Sequence, residues 1–139
     1  MRIITLLFAL SLALLTSCGH SETSEMEAAY TMTSDEIVNA FLEDGDAAFK
    51  KYTDQIVQIS GPIMELQKEN GKVIGIKLSS DEFNIVNGSL QETIDPSALD
   101  GSMGDVTIKG VCSGFLGDED SMLPGGTVEL KRVAVVPSN

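Results

Sequence analysis

The chain opens on an almost unbroken apolar run, Ile3 to Leu15, broken only by Thr5 and Ser11 and preceded by Met1-Arg2. A charged start followed by a short apolar stretch has the form of a secretory signal peptide. Thirteen residues at ~1.5 Å rise reach only ~20 Å, short of the ~30 Å hydrocarbon core that a permanent span must cross. From Gly19 to Thr33 the pattern dissolves into polar and acidic residues without a sustained period, which predicts a flexible acidic tether over residues 18–33. Periodicity returns at Thr33-Ser34-Asp35-Glu36, a capping box in which Thr33 accepts from the Glu36 amide while the Glu36 side chain reaches back. Ile37, Phe41, Ala48 and Tyr52 then recur on one helical face, and Asp44-Gly45-Asp46 breaks the run with an acidic residue able to cap a second helix. Two short helices are predicted, at 34–43 and 46–53.

After Asp54 the period changes to two and β-branched residues concentrate, predicting a long first strand from Gln55 to Leu66. Val57 and Ile59 share one parity and Met64 and Leu66 the other, so a bulge or bend is expected at Gly61-Pro62. Asn70-Gly71 supplies the two positive-φ positions of a type I′ hairpin. A second strand, Lys72 to Ser79, and a third, Phe83 to Asn87 beyond the polar turn 79–82, complete an antiparallel meander. The segment Asp95 to Gly101 is turn-rich with room for one helical turn. Gly104-Asp105 leads into a fourth strand reaching Cys112 or Phe115, and the fifth runs from Thr127 to Val136. Between these two, Leu116 to Gly126 forms an acidic loop. Five short strands with a bent first member and helical material before the fourth predict a mainly β protein. The architecture expected is a five-stranded OB-fold barrel preceded by one or two short α-helices.

The residues that end the apolar run specify the processing. Leu15-Thr16-Ser17-Cys18 resembles the lipobox of bacterial lipoproteins, with a branched aliphatic residue three positions before the cysteine and small residues at the cut. Residues 1–17 are then a lipoprotein signal peptide, 18–33 the tether and 34–139 the OB-fold domain with its helices. Cys18 is the lipidation site, and the attached acyl chains, at ~0.8 kcal/mol per buried CH2, are the membrane contact. Gly19 after the lipidated cysteine resembles the sorting context that releases lipoproteins to the outer membrane, which places the protein in the cell envelope. A thioether-linked Cys18 cannot form a disulfide. That leaves Cys112 alone in a strand, where a free cysteine behaves as a small buried hydrophobe, with Lys109 on the opposite strand face.

Charge narrows the partners further. The whole chain has 9 basic and 21 acidic side chains, a net charge of −12, and the signal peptide removes only Arg2 among them. Phosphate binding needs clustered Lys and Arg, and here Lys50-Lys51 and Lys131-Arg132 are the only adjacent basic pairs. No nucleic-acid partner is expected. The single histidine, His20, lies in the tether, so a Ser-His-Asp triad, a Cys-His pair and most zinc sites cannot be built. Asp44-Gly45-Asp46 lacks the further ligands of a calcium loop, having Lys50-Lys51 where they would stand, and Asp118-Glu119-Asp120 reads as a solvated loop tip. No catalytic residue, metal or cofactor is therefore expected.

The stretch Tyr52, then Ile56-Val57-Gln58-Ile59-Ser60-Gly61, then Gly104-Asp105-Val106-Thr107-Ile108-Lys109-Gly110-Val111-Cys112-Ser113-Gly114-Phe115 resembles the bacterial OB-fold family called tRNA-anticodon-binding-domain-like. The resemblance spans residues 34–136. It implies a small exported protein or lipoprotein with helices ahead of the barrel, and the family name records fold similarity without implying tRNA binding. Its pattern has a second cysteine on the last strand where Val133 stands here, and a shorter loop than Leu116 to Gly126, so no paired-cysteine feature carries over. Nor does any catalytic residue.

Three functional classes follow from these observations. The first is a non-enzymatic, lipid-anchored envelope module. It would present the face of its second and third predicted strands, with the loops after the first and fourth, to a protein, peptide or small ligand. Phe83 is the main aromatic candidate on that face. The second is an accessory subunit of an envelope protein complex, held by an exposed apolar patch. The third is a small hydrolase using paired carboxylates, which would need a cleft and a raised pKa.

Overall fold

The computed structural model describes residues 22–79, 81–99, 104–117 and 125–137. The predicted signal peptide, Cys18 and His20 lie outside these residues, as does Asp118-Glu119-Asp120. Helix α1, Ser34–Glu43, begins at the predicted capping box: the Glu36 amide donates to Thr33 Oγ1 at 3.2 Å and the Thr33 amide to Glu36 Oε2 at 2.7 Å. It satisfies two of the amides that a helix start leaves unpaired. Helix α2, Gly45–Tyr52, starts at the Asp44 cap, whose Oδ1 accepts from the Ala47 amide at 3.0 Å. Asp44 is thus occupied as a helix cap. Lys50 and Lys51 in the last turn of α2 complement the helix dipole.

Strand β1, Tyr30–Thr33, precedes the helices, and β2, Ile56–Glu69, β3, Lys72–Leu78, β4, Asn84–Ile94, β5, Asp105–Gly117, and β6, Gly126–Val136, follow them. The strand order is β1-β2-β3-β4-β6-β5, and β5 pairs back on β2. Strands β2 to β6 therefore close a five-stranded barrel, with β4 and β6 parallel and the other barrel pairs antiparallel. Closure works because β2 is long and shared: Ile56 to Pro62 pair with β5 and Ile63 to Glu69 with β3. A strand that serves two neighbours must bend. The bend lies slightly later than Gly61-Pro62, because the register breaks between Ile63 and Glu65 and leaves Met64 exposed. Ile63 keeps the parity of Val57 and Ile59, and Leu66 returns to the core beyond the break. Gly61 has a different use: a Cβ there would lie 2.5 Å from Ser34 Oγ, so its bareness seats the first turn of α1 on the barrel.

Asn70 and Gly71 adopt φ of 50° and 77°, as the predicted type I′ turn requires. The third barrel strand is longer than Phe83 to Asn87. It continues to Ile94 because its polar residues face solvent while Val86, Gly88 and Leu90 point inward, and because β3 and β6 flank it on both sides. Ile37, Val38 and Phe41 of α1 join Val57, Ile59, Ile76, Leu78, Val86, Ile108 and Leu130 in one buried core. Burial of such side chains stabilises by roughly 1.5–3 kcal/mol each. Phe115 reaches this core through Gly114, whose φ of 154° accompanies a register break after Cys112, and its ring stacks on Phe41 at 5.1 Å.

The tether expected over 18–33 requires correction, because from Glu22 onward the chain belongs to the folded unit. Thr23–Glu25 forms a 3-10 turn with Thr23 fully buried, its amide and hydroxyl donating to Gln91 Oε1 at 3.1 and 3.0 Å. Lys109 Nζ donates to the Ser24 and Met26 carbonyls at 3.3 and 2.9 Å, and β1 runs parallel to β2 with Tyr30 opposite Val57. No local apolar period announces this segment, because its partners are distant in sequence. No described helix is long and apolar enough to cross a membrane.

Candidate binding surfaces of the barrel

The outer face of the barrel is built by the residues that alternate with the core positions of β2, β3, β4 and β6. Register sets Glu65 opposite Lys77, Lys77 opposite Asn87 and Asn87 opposite Glu129, a polar row crossing four strands. Lys77 Nζ donates to Glu65 Oε2 at 3.0 Å, and Asn87 Nδ2 donates to Glu129 Oε2 at 2.9 Å. Asn87 Oδ1 is buried and has no hydrogen-bond partner among the described residues. An unpaired buried acceptor of this kind costs about 1–3 kcal/mol. One register step along, Ile85 lies opposite Thr127 and Thr127 opposite Leu116, so an apolar row borders the polar one. Leu116 is 66% exposed and Phe83, just before β4, 43%. Phe83 also anchors the return of the chain into β6, its carbonyl accepting from the Gly126 amide at 3.0 Å. The structure thus brings Phe83 to the edge of the predicted face.

Aromatic side chains are spent elsewhere. Tyr30 and Tyr52 meet edge to face at 5.0 Å, Phe41 lies between Tyr52 and Phe115, and Lys51 sits 5.2 and 5.1 Å from the two tyrosine rings. These rings pack around the helices, away from the polar row of the sheet. Four of the described basic side chains are engaged as well. Lys72 pairs with Asp95 at 3.0 Å, Lys131 approaches Asp54 at 4.0 Å, and Lys77 and Lys109 are bound as described.

Cys112 is fully buried on β5, and burial raises its thiol pKa above the usual range, which suits a packing role. Asp95 is pulled down to about 2 by the Ser97 amide first, then the Ser97 hydroxyl and the Lys72 ammonium. That displacement is opposite to the one a general acid needs. Among the described residues, no three His, Cys, Asp or Glu side chains converge to hold a metal ion.

A second surface lies where the N-terminal segment crosses the ends of β4 and β6. There a cavity of about 370 Å³ opens between the Thr23–Glu25 turn, the ends of the two strands and a 3-10 turn at Pro96–Leu99. Ile94, Leu99, Val133 and Val135 give it an apolar lining, and Glu22, Ser24, Gln91 and Glu92 supply its polar groups. Its volume falls within the ~300–1,000 Å³ typical of small-molecule sites. Local sequence patterning could not find this cavity, because one wall is the segment that reads as a tether. The single available signal is the room for a helical turn after Asp95.

The closed barrel, its strand order and the parallel β4–β6 pairing define an OB-fold protein with an added N-terminal strand and two helices. The chain belongs to the tRNA_anti-like family, whose model matches residues 3–123. That match begins earlier than the resemblance over 34–136 and stops short of β6. No curated protein matches the sequence. Among solved structures, the chain is similar to a Klebsiella pneumoniae protein provisionally described as a nucleic acid-binding lipoprotein. The identity is 15% over 86% of this chain and 98% of that one, with a TM-score of 0.47. A DUF3299 family protein from Pseudomonas aeruginosa is 15% identical over 78% of this chain and 97% of its own, with a TM-score of 0.41. An Entamoeba histolytica aspartyl-tRNA synthetase is 15% identical over 73% of this chain and 20% of its own, with a TM-score of 0.35.

Proposed function

We propose that the protein is a non-enzymatic binding module of the cell envelope, anchored by lipid on Cys18, whose outer barrel face takes a segment of a protein partner. The observation that carries the binding reading is the exposed apolar border of the face, Leu116 at 66% and Phe83 at 43%, next to the Glu65–Lys77 and Asn87–Glu129 polar row. A polypeptide supplies what such a surface lacks: apolar side chains for the Ile85 and Leu116 row and polar groups for the charged row beside it. The anchor rests on Leu15-Thr16-Ser17-Cys18 following an apolar run of signal-peptide length, and the outer-membrane destination on Gly19.

Two experiments test the parts separately. Mass spectrometry of the mature N-terminus is expected to find diacylglycerol-modified Cys18, with Cys18→Ser released from the membrane fraction; an unmodified N-terminus elsewhere refutes the anchor. A photo-crosslinker at Leu116 in the native envelope is expected to trap one protein that Asn87→Leu no longer captures. Equal trapping by a crosslinker on the far side, at Glu36, refutes the assignment of the face. A second reading, an accessory subunit held through its helices, is favoured by Leu42 and Phe49, exposed by 43% and 55% on α1 and α2.

A further inference from the structure

The cavity at the N-terminal segment is separate from the outer face and has a chemistry of its own. Its walls come from three parts of the chain far apart in sequence, residues 22–24, 91–99 and 133–137, and each is fixed by contacts of its own. Thr23 is buried and bonded to Gln91, Asp95 caps the Pro96–Leu99 turn through the Ser97 amide and hydroxyl, and Val133 is 1% exposed in the core. The space is therefore preformed, and a ligand would not have to order its walls. Ile94 and Val135 pack on the core yet keep part of their surface open to it. Apolar surface arranged this way is relieved of water by an alkyl chain, not by a sugar or a nucleotide.

The charged groups at the cavity are acidic, beside the neutral Ser24 and Gln91. Glu22 and Glu92 are both exposed, and neither is ion-paired with a described Lys or Arg. Lys109 is held by the Ser24 and Met26 carbonyls, and neither it nor Arg132 lines the cavity. The whole chain carries −12, so an anionic head group is repelled at long range and a cationic one attracted. We propose that this cavity binds a single-chain cationic amphiphile, with the alkyl chain against Ile94, Leu99 and Val135 and the cationic head at Glu22 and Glu92.

Position suggests the source. Cys18 precedes Glu22 by four residues, a span of at most ~14 Å. On the lipid-anchor reading, the mouth of the cavity is kept beside the bilayer, where amphiphiles concentrate. That supply route rests on the proposed anchor; the binding chemistry does not.

The test uses the chain from residue 18 to 139 with Cys18→Ser, which is free of lipid, so failure of the anchor reading leaves the result intact. It is titrated calorimetrically with decyltrimethylammonium, decyl sulfate and decyl maltoside, all below their micelle concentrations. The expected result is saturable one-to-one binding of decyltrimethylammonium, at least about tenfold tighter than decyl sulfate at low salt. Affinity should rise about threefold to fourfold per added methylene between the octyl and decyl forms. Ala98→Trp, at an exposed position on the cavity wall, should abolish binding of all three probes with an unchanged circular dichroism spectrum. Glu22→Gln with Glu92→Gln, both on the surface, should cut the preference for the cation down to what the net charge of the rest of the chain supplies, and leave decyl maltoside binding as it was. Equal affinity for cation and sulfate, non-saturable uptake, or a charge preference as large in the double glutamine variant as in the parent overturns the proposal.

Discussion

Gly110 and Gly45 should respond to the same substitution with opposite signs. A Cβ at Gly110 would meet Val133 Cγ2 at 2.6 Å and the Lys131 carbonyl at 3.2 Å, deep between β5 and β6, so Gly110→Ala should destabilise by about 1–3 kcal/mol. Nothing lies within 4 Å of a Cβ at Gly45, in the first turn of α2, and Gly45→Ala should stabilise by about 0.4–1 kcal/mol. Urea unfolding of the two variants beside the parent measures both. Asp95 gives a pH dependence. Its pKa falls from 3.8 in the unfolded chain to about 2 in the fold, so its contribution is complete above pH ~4 and is lost as pH falls through about 2. An NMR titration of the Asp95 carboxyl should show a midpoint near 2 that moves up in Ser97→Ala. The close approach at Gly110 is legible in the sequence as a glycine inside a strand. The clash of a Cβ at Gly61 with Ser34 is not, because only the docked helix brings the two together.

At the scale of elements, the strand preceding α1 and the 3-10 turn before it decide where the domain begins. A fragment starting at Ser34 loses the Thr23–Gln91 bonds, both Lys109 contacts and the Tyr30–Tyr52 ring pair. With ~0.5–1.5 kcal/mol for each of several hydrogen bonds and a similar amount for the ring pair, it should be at least about 2 kcal/mol less stable than a fragment starting at Glu22. Chemical denaturation of the two fragments measures the difference, and equal midpoints would return residues 22–33 to the role of a tether. The helices, by contrast, were placed to within a residue from a capping box and an aspartate cap. Both signals are local, as is the Asn70-Gly71 turn. The bend in β2 came out two to three residues late, because the switch of partner from β5 to β3 sets it, and parity within one strand does not.

At the scale of the whole molecule, the family's name suggests nucleic acid and the charge speaks against it. An OB-fold that holds single strands combines a basic groove with stacking aromatics worth ~1–3 kcal/mol per base. Here the net charge is −12, Lys72 and Lys77 on β3 are paired with Asp95 and Glu65, and four of the aromatic rings pack around the helices. The chain from residue 18 with Cys18→Ser should show no oligonucleotide binding at physiological salt. Fluorescence anisotropy with labelled single-stranded DNA and RNA is the measurement, and saturable micromolar binding that weakens steeply with added salt would reverse the conclusion.

The sequence by itself determined the elements whose causes are local. These are the capped helices, the hairpin at Asn70-Gly71, the alternation that buries Val106, Ile108 and Cys112, and the five strands whose number and spacing specify a closed OB barrel. Acidity and the single histidine followed from counting. Only the tertiary structure decided that residues 22–33 are part of the fold, that β4 runs on to Ile94, and that Asn87 keeps an unpaired acceptor within the outer polar row. It also decided that an apolar cavity forms between Glu22 and Pro137. Each of these depends on partners many residues away, such as Lys109 for the N-terminal segment and Val133 for the end of β4. Periodicity records how a residue stands to its neighbours in the chain, and it carries no trace of a partner that only chain closure supplies.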